Sequence, residues 1–179
     1  MAGTSTGISS ARGRRIARSF GGRLVTPREL LEQYVASGKV MQVATVNEAG
    51  SPQVCTVWYQ PEFRPDRLRW ISRHDREHSR AIAANPQVAG AIVAIPLDAL
   101  GQVVQGVSFH GRARELPVQG VEDEIQAFIA RWPAAAAAFE AMATGGATRL
   151  YEVAVDAWVL FDEEHFPAPG NPRQSITAE

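Results

Sequence analysis

From Val40 to Phe161 the apolar residues fall mainly in short β-rich or alternating runs, and Gly, Pro and Asn break them up. That pattern reads as strands joined by turns. Val40 to Val46 and Val54 to Tyr59 flank Glu48-Ala49-Gly50-Ser51, which predicts an antiparallel hairpin. In Leu68 to Ser72, Leu68, Trp70 and Ser72 alternate with Arg69 and Ile71, giving a third strand. Val88 to Val93 is almost wholly apolar, so a fourth strand is expected with both faces buried. Val103 to Leu116 makes a fifth, with Gly106 or Gly111 as candidate bulge positions. In Tyr151 to Phe161, residues Tyr151, Val153, Val155, Ala157 and Val159 share one face and Glu152 and Asp156 the other, a sixth strand. Gln60 to Asp66 holds two prolines and reads as a loop.

Helical spacing appears at four places. Thr26-Pro27-Arg28-Glu29 forms a capping box ahead of Leu30, Leu31, Tyr34 and Val35, and Gly38 ends that helix. A short helix runs through Ala81 to Ala84, with Asp75 as its expected cap and Asn85-Pro86 as its stop. Val121 to Arg131 and Pro133 to about Met142 supply two more before the last strand. Six strands in an open sheet leave two exposed edges, and closure removes them. The expected fold is mainly β with flanking helices, a six-stranded antiparallel barrel.

Composition narrows the picture in a few respects. With 179 residues the chain makes one domain, and 45% hydrophobic content is enough for a core. A net charge of −1 creates no field that would draw the molecule to nucleic acid or a membrane surface. No apolar run is long enough to cross a bilayer. Cys55 is the single cysteine, so no internal disulfide forms, which suits a cytoplasmic location. Residues 1–24 carry Arg12, Arg14, Arg15, Arg18 and Arg23 with no acid, and read as a flexible arm. Residues 25–166 form the expected domain, and residues 167–179 an extended C-terminal tail.

The densest chemistry lies at the start of the short helix, where Arg73, Arg76, His78 and Arg80 gather. A phosphate dianion needs charged donors and free backbone N–H groups, and a helix start offers the latter. Glu77 has to point away for that role; the competing reading is a solvated loop with paired charges. Cys55 on an apolar strand reads as a small packed side chain before a nucleophile. His74 and His78 stand four apart, but the cap between them spoils a shared helical face, so no metal site is expected. Asp162-Glu163-Glu164 reads as a solvated turn. Trp58, Trp70 and Trp158 are read as core or subunit-interface residues.

Several runs together resemble the pyridoxamine 5'-phosphate oxidase-like, FMN-binding split-barrel superfamily. They are Ala44-Thr45-Val46, Gly50-Ser51-Pro52 leading into Val54-Cys55-Thr56-Val57-Trp58-Tyr59, Ala84-Asn85-Pro86-Gln87-Val88, and Gly106-Val107-Ser108-Phe109-His110-Gly111-Arg112-Ala113. The closing strand, Tyr151 to Phe161, fits as well, and the likeness extends over roughly Thr26 to Phe166. The resemblance implies a split barrel and a homodimer with FMN in a groove between subunits. It places Cys55 and Thr56 near the ring or ribityl chain, Ile71 and Ser72 against the cofactor, and Arg76 and His78 in the phosphate loop. It implies an oxidoreductase acting on a small molecule, with the redox chemistry carried by the flavin. Superfamily members that use a deazaflavin or bind haem, or a dimeric binding protein without a flavin site, are the alternatives. Two departures stand out: Arg76-Glu77-His78 where many members show Ser-Arg-Lys, and Cys55 where members often place an arginine.

Overall fold

The computed structural model describes residues 25–96, 98–167 and 169–179; the expected arm at residues 1–24 lies outside them. Helix α1 is Pro27–Ser37 and is followed by β1 Val40–Val46, β2 Pro52–Trp58, β3 Gln60–Glu62 and β4 Arg67–Arg73. Helix α2, Glu77–Ala84, precedes β5 Gln87–Val93 and β6 Gln105–Glu115. Helix α3 Glu122–Arg131, a 3-10 turn Pro133–Ala135 and α4 Ala136–Ala143 come next, then β7 Thr148–Asp162 and β8 Arg173–Thr177.

The eight strands form one antiparallel sheet in the order β2-β1-β5-β6-β7-β4-β3, with β8 paired to β7. Strand β2, at one edge, curls round to touch β4 near the other, so the sheet is a barrel split along the β2–β4 seam. The expected six strands become eight. Pro61 does not prevent the three-residue β3, because β3 lies on the sheet edge, where a missing N–H costs no ladder bond. Within the stretch expected as a C-terminal tail, Arg173–Thr177 forms β8 and pairs with Phe161 to Ala157 of β7.

The helix starts follow local chemistry. Thr26 and Glu29 form the reciprocal capping box, with Glu29 N–H donating to Thr26 Oγ1 at 3.2 Å and Thr26 N–H to Glu29 Oε2 at 2.8 Å. Gly38 ends α1 for lack of room, since a Cβ there would strike the Tyr59 hydroxyl and Ile92. For α2 the cap differs from expectation. Arg76 occupies the N-cap position with no side-chain cap bond, and Asp75 is bound instead to Arg73 at 2.6 and 2.9 Å.

Strand β5 also departs from the pattern reading. Val88 and Ile92 point into the core, while Gln87, Ala89 and Val93 are exposed, so one face only is buried. Strand β7 changes face midway. Tyr151, Val153 and Val155 are buried, then Trp158 and Leu160, because the β6–β7 register slips between His110 and Gly111 and leaves Asp156 unpaired. Ala157 and Val159 thus turn away from the face they were expected to share. Gly111 permits this close crossing, since a Cβ on it would overlap the Ala154 carbonyl. Gly111→Ala should cost about 2–3 kcal/mol, read as a lower urea midpoint at unchanged slope.

Two apolar clusters result. The larger fills the barrel, with Leu31, Met41, Tyr59, Trp70, Tyr151 and Trp158 among its fully buried members. The smaller, built on Leu116, Phe128, Phe139, Met142 and Leu150, packs α3 and α4 on the outside of the sheet. The helices over this end also bury Glu152, expected on a polar face, which holds Arg69 at 2.9 Å.

Candidate functional site

The open seam between β2 and β4 is where the expected site residues fall. Strand β2 alternates: Gln53, Cys55 and Val57 are half-buried on the inner side, while Val54, Thr56 and Trp58 face out. Cys55 packs against the barrel core, and burial pushes its thiol above the ordinary cysteine value. A neutral thiol in an apolar setting suits packing, not nucleophilic attack. Cys55 and Thr56 therefore look to opposite sides of one strand, and Thr56 alone of the two lines the outer cleft.

That cleft, about 510 Å³ in volume, is lined by Thr56, Val57, Trp58 and Ile71 on the strand side. Phe128, Trp132, Ala134 and Ala135, from α3 and the 3-10 turn, form the facing wall. Trp58 and Trp132 meet edge to face with centroids 4.8 Å apart. Trp132 is fixed by its indole N–H, which donates to the Tyr59 carbonyl at 2.8 Å. The helix wall was missed in the sequence. Its only signal was Trp132-Pro133 ending an apolar helix, and nothing along the chain ties that dipeptide to β2.

One residue beyond Ile71, the strand end meets α2. Ser72 Oγ and His78 Nε2 lie 2.8 Å apart, which joins the end of β4 to the first turn of the helix. Ser79, buried in the same turn, donates its hydroxyl to the Arg73 carbonyl at 2.8 Å. The opening N–H groups of α2 have no side-chain cap. Arg76 is exposed, and no carboxylate among the described residues lies within ion-pair distance of it. The neighbouring charges are committed: Arg73 to Asp75, whose carboxyl is held at about 2 by that bond, and Arg80 to the Asp75 carbonyl. Glu77 accepts from the Gln53 side chain on β2, so it turns toward the barrel seam.

Burial, together with the positive charge of Arg76, holds His78 below the ordinary histidine value. At neutral pH its ring is a neutral partner for Ser72 and not a second cation. An NMR pH titration should give His78 a midpoint below about 6.5, the free-imidazole value. A midpoint above neutral pH would mean that the ring is charged there in the native protein.

Thr56 and Ile71 thus share the cleft, and Ser72, Arg76 and His78 cluster at the helix start next to it. The residues fit a phosphate-bearing planar ligand: a guanidinium with no ion pair among the described residues and uncapped N–H groups at one end, an apolar slot at the other. Elsewhere, Asp162, expected in a solvated turn, is fully buried and accepts from Tyr34 at 2.6 Å and from His165 at 2.7 Å.

Comparison with known proteins agrees with this architecture. The family model described as pyridoxamine 5'-phosphate oxidase matches residues 27–161. No curated protein matches the chain. Among solved structures, a heme binding protein from Mycobacterium smegmatis superposes with a TM-score of 0.67 at 19% identity, covering 86% of this chain and 59% of that one. The heme storage protein HutZ of Vibrio cholerae superposes with a TM-score of 0.60 at 18% identity, covering 78% and 98%. A FAD-binding protein of Mesorhizobium loti gives 0.54 at 17% identity, covering 76% and 94%. At these identities the neighbours share the fold, and the family match spans most of the chain. The chain belongs to the pyridoxamine 5'-phosphate oxidase-like family of split-barrel proteins.

Proposed function

We propose that the β2–β4 seam binds FMN and that the protein is a flavin-dependent oxidoreductase acting on a small molecule. One observation carries this reading. Among the described residues Arg76 has no acidic partner, and it stands at the uncapped start of α2, next to an apolar cleft of ligand size. In the proposed complex Arg76 and the first N–H groups of α2 hold the phosphate. Ser72, kept in place by neutral His78, orients the chain between phosphate and ring. Ile71 and Thr56 support the ring, and Cys55 shapes that strand from behind. The flavin supplies hydride or electron transfer when bound, and the protein supplies placement and exclusion of water.

The same reading makes the protein a homodimer. Val54, Trp58 and Val93 are outward-facing on β2 and β5 and are 68%, 56% and 47% exposed, a large apolar surface for a lone subunit. Light scattering should give twice the chain mass, and a monomer would remove the shared groove. No helix among the described residues is long and apolar enough to cross a membrane; we place the protein in the cytoplasm, where its lone thiol stays reduced.

Titration of the ligand-free protein with FMN should quench flavin fluorescence to saturation at one FMN per chain. The structural neighbours include a heme binding protein, a FAD-binding protein and an F420 reductase. Parallel titrations with haem and a deazaflavin therefore discriminate. Preference for either over FMN replaces the cofactor assignment, and binding of none leaves a protein that has lost the site.

A further inference from the structure

The two walls of the cleft differ in chemistry, and the difference bears on what reacts there. The helix wall presents Phe128, Trp132, Ala134 and Ala135, and among the described residues no charged side chain lines the cleft. The indole N–H of Trp132 is already given to the Tyr59 carbonyl. Arg131, next in the chain, stacks on Trp132 with its guanidinium carbon 5.1 Å from the ring centroid, and it donates to the Ala36 and Gly38 carbonyls. Lys39 lies over the same ring at 5.8 Å. Arg131 is held by the Trp132 ring and two backbone carbonyls, Lys39 lies over the same ring, and neither is among the described residues that line the cleft. A phosphate or carboxylate entering here would lose its water and gain no charged donor, a large desolvation cost. An organic cation would meet an indole ring already engaged by two positive charges. An uncharged planar molecule suffers neither penalty and gains contact with Trp132, Phe128 and the alanines.

We infer that the helix wall of the cleft is a substrate subsite selective for uncharged, planar, apolar molecules and closed to phosphorylated ones. The inference rests on the flavin reading for the substrate's role, with the substrate lying between the ring and the α3 wall. Its recognition chemistry stands without the flavin. It also sets this chain apart from a phosphate-bearing substrate: Ala134 and Ala135 occupy a helix-side wall where a phosphate would need side-chain donors, and the alanine side chain has none.

Equilibrium dialysis with a matched pair of probes, 1-naphthol and 1-naphthyl phosphate, tests this on full-length protein without added flavin. The wild-type chain should hold 1-naphthol at least about tenfold more tightly than its phosphate ester. Ala134 is exposed in the 3-10 turn, so substitution there spares the fold. Ala134→Arg should lower naphthol affinity and raise that for the ester, whereas Ala134→Met should lower the first without raising the second. Saturating FMN should leave naphthol binding in place. Equal or tighter binding of the ester, no naphthol binding, unchanged affinities in Ala134→Arg, or displacement of naphthol by FMN would each overturn the subsite. The paired affinities and the Ala134 variants are scored without flavin, so failure of FMN to bind is a separate result that leaves them to decide the subsite.

Discussion

Asp66→Ala should lower stability by about 3–5 kcal/mol, the usual cost of breaking a buried ion pair from one side. Asp66 is fully buried between β3 and β4. Its carboxylate accepts from Arg28 Nη1 at 2.7 Å and Nη2 at 2.5 Å, and from the Trp158 indole at 2.7 Å. Its backbone N–H donates to the Glu179 carbonyl at 2.8 Å, and its carbonyl accepts from Val155 at 3.2 Å. One edge of β7 passes from β8 to β4 at this point, with β4 ending at Ala154 and β8 at Ala157. Asp66 thus ties α1, both partner strands of β7 and the chain end together. Alanine would leave Arg28 half-buried with Glu32 as its remaining ion partner and the Trp158 N–H without its carboxylate acceptor. Thermal unfolding should fall by roughly 10 °C.

The same residue sets an acid limit. Burial pushes the Asp66 carboxyl up, but the bonds from Arg28 and Trp158 outweigh it, and its value falls below the ordinary carboxylate range. A depressed folded value gives stability that is complete above the unfolded value of about 3.9 and is lost as pH falls through the folded value. Wild-type stability should therefore decline below about pH 4, and Asp66→Asn should flatten that part of the profile. An unchanged acid limb in Asp66→Asn would assign the decline to other carboxylates.

The second large effect concerns the ligand. Arg76→Ala should weaken FMN binding by about tenfold to a hundredfold, the range for one charge-assisted phosphate contact. Stability should be unaffected, because Arg76 is exposed and holds no ion pair among the described residues. Arg73→Ala should weaken FMN binding far less, since that guanidinium already serves Asp75. Equal losses in the two variants would mean that general positive charge, and not a specific contact, attracts the ligand.

The barrel was legible because its strands alternate and its turns carry Gly, Pro and Asn. The hairpin turn shows this locally: Asn47 Oδ1 accepts from the Ala49 and Ser51 N–H groups, and Gly50 takes a positive φ of 79°. What escaped depended on contacts distant in sequence. Asp66 looks like any loop acid until Arg28 and Trp158 close on it. The face switch in β7 needs its register against β6, which alternation within one strand cannot supply. Asp75 has the right residue type for a cap, but a bidentate arginine two residues away outcompetes the backbone for its carboxylate.

The candidate site divides in the same way. Arg76 and His78 stand at one helix start, so a local reading placed them together, and Ile71 and Ser72 came to the site through the family likeness. Thr56 joined them through the family likeness. Cys55 did not, because adjacent strand residues point to opposite faces. The Trp132 wall comes from a helix more than seventy residues beyond Trp58, and only the packing of α3 outside the sheet brings it to the seam.

The most direct measurement of the central claim is the visible spectrum of the protein after FMN is added and the excess removed by gel filtration. Shifted flavin bands that travel with the protein, at one flavin per chain, are the expected result. A colourless protein peak, with all the FMN eluting free and its spectrum unaltered, would contradict the assignment.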